Sequence, residues 1–253
     1  MTTIEISLLV AACVFAGSLV GLFLHRLLPE THLTPQTMDV VRLGNGMLSV
    51  LASLVLGLLI ATAKSSYDST THSIRDYAAE LGVLNETLRD YGGPASVPRD
   101  ALRRYTERFL ADGWPRNGAR PTVLEGEEGQ RLLEHVREAI RALKPADAGA
   151  TWLQDQALGD NTNLLRQRWL LIDNKQSNVQ GVVLGILVSW ITVIFAGFGL
   201  NAPRNMTVVV AFLICALGIG GAIFLIMEMD RPLDGIMRIS SEPVENVLKD
   251  MNW

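Results

Sequence analysis

Four nearly charge-free apolar stretches, two near each end of the chain, limit the fold more than any other feature. They cover residues 6–24, 43–63, 179–200 and 206–227. A helix rises about 1.5 Å per residue, so roughly 20 apolar residues cross a hydrocarbon core of about 30 Å. The chain is therefore expected to be an all-α polytopic membrane protein with four transmembrane helices and a helical insert between helices two and three. Its parts read as a transmembrane hairpin over 1–63, a helical cytoplasmic region over 64–178, a second hairpin over 179–227 and a cytoplasmic tail over 228–253.

Charge is concentrated in the insert. The formal net charge is only -4, and no Lys/Arg run occurs, which argues against a nucleic-acid partner. The two cysteines, Cys13 and Cys215, lie inside apolar stretches, so neither a disulfide framework nor a cysteine metal site is implied. The run from Leu9 to Cys13 has the look of a lipoprotein processing site. No Lys or Arg precedes it, Glu5 is acidic and the apolar run continues to Leu24, so a retained transmembrane helix is expected. His25, His32, His72 and His135 are scattered without metal-ligand spacing. No phosphate-cradling glycine loop and no Gly-x-Ser-x-Gly elbow occurs. Nothing asks for an enzyme, a catalytic residue, a metal or a cofactor.

Lys and Arg near span ends set orientation. Lys64, Arg75, Arg166, Arg168, Lys175, Arg231 and Arg238 flank the insert or the tail, against Arg26, Arg42 and Arg204 in the short loops. The first set should face the cytoplasm. Both termini and the insert are then cytoplasmic, in a multi-pass protein of the cell (inner) membrane.

Small residues recur four apart in every span: Gly17 and Gly21, Ser53 and Gly57, Gly181 and Gly185, Ala216 and Gly220. Lipid tails are as apolar as leucine, so helix association needs close backbone approach, and such pairs suit packing within one bundle or between subunits. Span two also carries Asn45, Ser49 and Ser53 along one face below Arg42. This polar, uncharged face suits either interhelical hydrogen bonding or a wetted path. No Asp, Glu, Lys or His lies at mid-membrane depth, which argues against a proton-coupled carrier but not against a passive channel.

Past Lys64, apolar positions at Ile74, Tyr77, Leu81, Leu84, Leu88 and Tyr91 form a heptad-like seam, which predicts that span two continues out of the membrane as one helix. Gly92-Gly93-Pro94 should end it. Further helices are expected over 99–111 with Leu102, Tyr105 and Phe109, over 127–143 with Leu132, Val136, Ile140 and Leu143, and from about 148 with Leu164, Leu165, Trp169 and Ile172. Residues 112–129 read as a loop.

Three strings remain. Leu171-Ile172-Asp173-Asn174-Lys175-Gln176-Ser177-Asn178 precedes span three, and Asn201-Ala202-Pro203-Arg204-Asn205 joins spans three and four. Glu228-Met229-Asp230-Arg231-Pro232-Leu233-Asp234-Gly235 follows span four and leads to Ile239-Ser240-Ser241-Glu242-Pro243. Together they resemble the bacterial bestrophin-like family of unknown function, itself similar to the bestrophin anion channels. The resemblance implies cytoplasmic termini, a helical region between spans two and three, and a pentamer whose axis is lined by span two. It departs from the channels in two ways. Span two has no aromatic residue for a neck, and the tail has only the dispersed Asp230, Asp234, Glu242 and Glu245 in place of a dense calcium clasp.

The expected function is that of a homo-oligomeric channel for small inorganic anions in the bilayer. Asn45, Ser49 and Ser53 would give a polar wall, and Leu56 and Ile60 an apolar constriction. Arg42 and Arg204 would stand at an outer vestibule. Asp173, Gln176, Asn201, Pro203, Asp230, Arg231 and Pro232 would form a structural motif, for example through a latch between Arg231 and Asp173. The alternatives are a non-conducting scaffold or sensor that docks a cytosolic partner on the Ile74–Tyr91 seam, and a cation-selective pore.

Overall fold

A computed structural model describes residues 2–29, 34–115, 127–173 and 181–251; the side chains of His25, Arg26 and Asp173 fall outside it. Its described residues form eight α-helices and no strand: α1 (Thr3–Leu27), α2 (Pro35–Tyr91), α3 (Ser96–Gly113), α4 (Glu127–Arg141), α5 (Ala148–Asp173), α6 (Gly181–Asn201), α7 (Met206–Met229) and α8 (Glu242–Met251). Helices α1, α2, α6 and α7 are long and apolar enough to cross a membrane. The all-α, four-span expectation therefore holds. The chain divides into two compact units, Met1–Ser66 with Ser177–Asp230, and Tyr67–Gln176 with Arg231–Trp253.

In the first unit α1 is the packing partner of both α6 and α7. It opens on a capping box in which Thr2 accepts from the Glu5 amide at 3.3 Å and the Glu5 carboxylate accepts from the Thr2 amide at 2.9 Å. Glycines then set the interhelical spacing. A Cβ on Gly17 would lie 2.8 Å from the Thr192 carbonyl oxygen, and one on Gly220 would lie 2.9 Å from that of Ser7. Ser18 and Ala216 are buried in the same contacts. Thus the pairs Gly17/Gly21 and Ala216/Gly220 pack within the chain. A Cβ on Gly57, Gly181 or Gly185 would meet nothing within 4 Å among the described residues.

The second unit is built on the outer part of α2, which is one unbroken helix of 57 residues. Ile74, Tyr77, Leu81, Leu84 and Leu88 are all buried, packed with Leu102, Tyr105 and Phe109 of α3, Leu133, Val136 and Ile140 of α4, and Leu164 and Leu171 of α5. On α4 the core position falls to Leu133, with Leu132 only half-buried. Gly92 ends α2 in the left-handed region, at φ 89°, where a side chain would be strained. Helix α8, which the sequence reading leaves as tail, packs on α3 and buries Val244 and Met251.

This core is not wholly apolar. The Tyr77 and Tyr105 hydroxyls hydrogen-bond each other, and Arg168, 4% exposed, hydrogen-bonds Tyr105. Burial raises both phenol pKa values, that of Tyr77 well above 10.0; at Tyr105 the Arg168 guanidinium opposes the rise. A raised folded-state value means that the stabilisation is complete below the ordinary tyrosine pKa near 10 and is lost as pH rises beyond it. The unit should therefore lose thermal stability above about pH 10. Phenolate absorbance should show Tyr77 and Tyr105 ionising only as circular dichroism reports unfolding, and the Tyr77→Phe variant should show a smaller alkaline loss.

Candidate functional site

The membrane part of α2 has two unlike faces. One is turned to its own unit: Asn45 and Ala52 are buried, and Ser49, Leu56 and Ile60 are half-buried. Asn45 Nδ2 donates to the Ile194 carbonyl of α6 at 3.4 Å. Gly197 makes room for it, since a Cβ there would lie 2.6 Å from Asn45 Cγ. Ser49 Oγ donates to the Asn45 carbonyl at 2.7 Å, and Ser53 Oγ to the Ser49 carbonyl at 2.8 Å. Hydroxyls satisfied by their own helix need no water, so these serines are at home in an apolar setting.

Asn45 is buried with its amide on α6, as a buried amide in hydrocarbon must find a partner. Of the five candidate wall residues only Ser53 is exposed. The opposite face is apolar and uncovered: Leu43, Met47, Val50, Leu54 and Leu58, with Val50 and Leu54 each 70% exposed. Only 11% of the span in α2 is buried, against 39% in α1 and 22% in α6 and α7.

Arg42 is exposed and 3.8 Å from Asp39, a surface pair that contributes little. Arg204 is exposed in the connection before α7 and has no ion pair among the described residues. That connection is short because the Asn205 amide donates back to the Pro203 carbonyl at 3.1 Å, and Asn205 Oδ1 caps α7 by accepting from the Val208 amide at 2.9 Å. Asn201 ends α6, its Nδ2 donating to the Gly197 carbonyl at 3.0 Å.

Gln176 lies outside the described residues, and so does the side chain of Asp173, which leaves the Arg231 latch unplaced. The rest of the third string is a backbone-pinned loop. Asp230 caps α7, the Asp234 amide donates to the Arg231 carbonyl at 3.1 Å, and the Ile239 amide donates to the Pro232 carbonyl at 2.9 Å. Gly235 turns the loop at φ 93°. Trp114 Nε1, at the end of α3, then donates to the Ile239 carbonyl at 2.8 Å. No sequence signal marks Trp114 for this role, because its acceptor is a main-chain oxygen 125 residues away.

A helical chain with four spans, a long second helix and this loop after the fourth span has the layout that the motif strings imply. The bestrophin-like domain model matches residues 11–244. The chain belongs to the bestrophin-like family. No curated protein and no solved structure matches it. As a bestrophin-like chain with four candidate spans it is a multi-pass membrane protein.

Proposed function

We propose that this bestrophin-like protein is a homo-oligomeric channel conducting small inorganic anions, chloride among them, along an axis lined by α2. The observation that carries the reading is the uncovered face of α2, the least buried of the four spans. Five copies around the axis are what the family resemblance implies, with both termini and the insert in the cytoplasm of a cell whose inner membrane holds the spans. Leu54 and Leu58 then supply the apolar constriction, in place of the half-buried Leu56 and Ile60. Ser53 borders the wall, Ser49 stands behind it and Asn45 fixes its rotation against α6. Leucines at a narrow point gate by dewetting. Arg42 and Arg204 stand at the outer mouth.

The scaffold alternative loses support, because the seam residues Ile74, Tyr77, Leu81, Leu84 and Leu88 are buried within the chain and Tyr91 is half-buried against the same core. The cation alternative is separated by measurement. In planar bilayers with a KCl gradient, the reversal potential should move towards the chloride equilibrium value, and a shift towards potassium would favour the cation pore. Leu54→Asn should raise conductance roughly tenfold, as for a barrier lowered by about 1.4 kcal/mol. No current from monodisperse protein, together with a map in which α2 faces lipid, would defeat the reading.

A further inference from the structure

One groove in the membrane unit shares only Arg204 with the conduction path as proposed. Leu19, Leu22 and Phe23 from the end of α1, Met206 and Val209 from the start of α7, and Arg204 and Asn205 just before it line a cavity of about 360 Å³. The walls are apolar, and Phe23 and Met206 stand 60% and 78% exposed, without a covering element among the described residues. Both helices end or begin a span here, so the groove lies where hydrocarbon meets headgroups.

We propose that this groove binds an anionic glycerophospholipid. Its phosphate would take the Arg204 guanidinium and its acyl chain the groove. The planar guanidinium matches two phosphate oxygens at once, and such charge-assisted pairs are among the stronger hydrogen bonds. An aliphatic chain loses nothing against Leu19, Phe23 and Met206. Inorganic phosphate gains nothing from those walls, and a zwitterionic headgroup brings a cation that opposes Arg204. A net-negative headgroup is the species that matches both halves of the groove. The assignment stands whether or not the protein conducts.

The test uses the full-length protein in a neutral detergent. Phosphatidylglycerol, phosphatidylcholine and inorganic phosphate are added in separate arms, while thermal unfolding and native mass spectrometry are followed. Phosphatidylglycerol should raise the unfolding temperature and remain bound in proportion to subunits, phosphatidylcholine should act more weakly, and phosphate should do nothing. Arg204→Gln should weaken phosphatidylglycerol binding about tenfold or more, and Arg204→Lys by less. Leu19→Trp, which fills the groove and leaves the charge, should weaken binding of the same lipid. The lipid-free unfolding temperature of each variant shows that it folds. Equal binding by wild type, Arg204→Gln and Leu19→Trp would overturn the assignment. So would stabilisation by phosphate alone, which would mark a free-anion site, or cross-linking of Met206→Cys in a chain lacking Cys13 and Cys215 to a neighbouring copy, which would mark a subunit contact.

Discussion

Gly21→Leu is expected to leave no folded membrane unit. A Cβ at this position would run into the Ala196 carbonyl, 2.7 Å from its carbon and 3.0 Å from its Cα. Those atoms are helix backbone and cannot turn aside as a side-chain tip can. The only relief is to part α1 from α6. Parting them also undoes the seat of Gly199 on the Ser18 carbonyl and that of Gly17 on Thr192. In lipid no hydrophobic force holds a loosened pair together, so the dispersion attraction forfeited at the crossing is not recovered elsewhere. Overpacking costs about 1–3 kcal/mol in cores that can shift, and a backbone-on-backbone clash should exceed that range. Size-exclusion profile and unfolding temperature in detergent give the readout. Gly57→Leu is the control, because nothing among the described residues lies within 4 Å of a Cβ there and the protomer should fold. A Gly21→Leu protein as monodisperse and heat-stable as wild type would mean that α1 and α6 do not meet at these glycines.

How much of this was legible follows from how local each signal is. The four spans were readable because twenty apolar residues without charge have few other destinations. The run of α2 past the bilayer was readable from the seam Ile74 to Tyr91, which keeps one face over five turns. Rotation about a helix axis was less so. Leu132 and Leu133 are both apolar, and the neighbouring helices decide which one enters the core. The polar face of α2 invited a pore reading, but the acceptor that claims Asn45 is the Ile194 carbonyl, 149 residues away. Of the four small-residue pairs, the sequence could not separate Gly17/Gly21, which meets α6, from Gly181/Gly185, which meets nothing among the described residues. Helix α8 had a readable signal in Val244, Val247, Leu248 and Met251, spaced for one face behind Ser241, whose hydroxyl donates to Glu245 at 2.6 Å.

Arg168 is the case in which residue type misled most, and it carries the second large effect. Beside a span, an arginine reads as a topological charge in water. Here its side chain is inside the second unit, with Tyr105 as one hydrogen-bond partner and its guanidinium nitrogens 3.1 and 3.2 Å from where a Cβ on Gly129 would be. Gly129 is thus the seat that lets α4 close over a planar cation. Truncating Arg168 to Leu keeps the volume roughly but strands the groups that now receive its protons, including Tyr105 and, through it, Tyr77. Removing one member of a buried charged network costs about 3–5 kcal/mol. That is a large share of the 5–15 kcal/mol that holds a typical domain together. Arg168→Leu should therefore unfold the insert while α1, α6 and α7 keep their mutual packing. Denaturant melts followed by Trp114 fluorescence, with hydrogen exchange over α2 to α5, would show it. Arg168→Lys should recover little, because an ammonium cannot reproduce a planar fork lying on Gly129. Tyr105→Phe should cost less, about 1–3 kcal/mol, since it removes one acceptor and leaves the charge its remaining partners. If lysine restored wild-type exchange rates, charge alone would matter and the fitted seat on α4 would not.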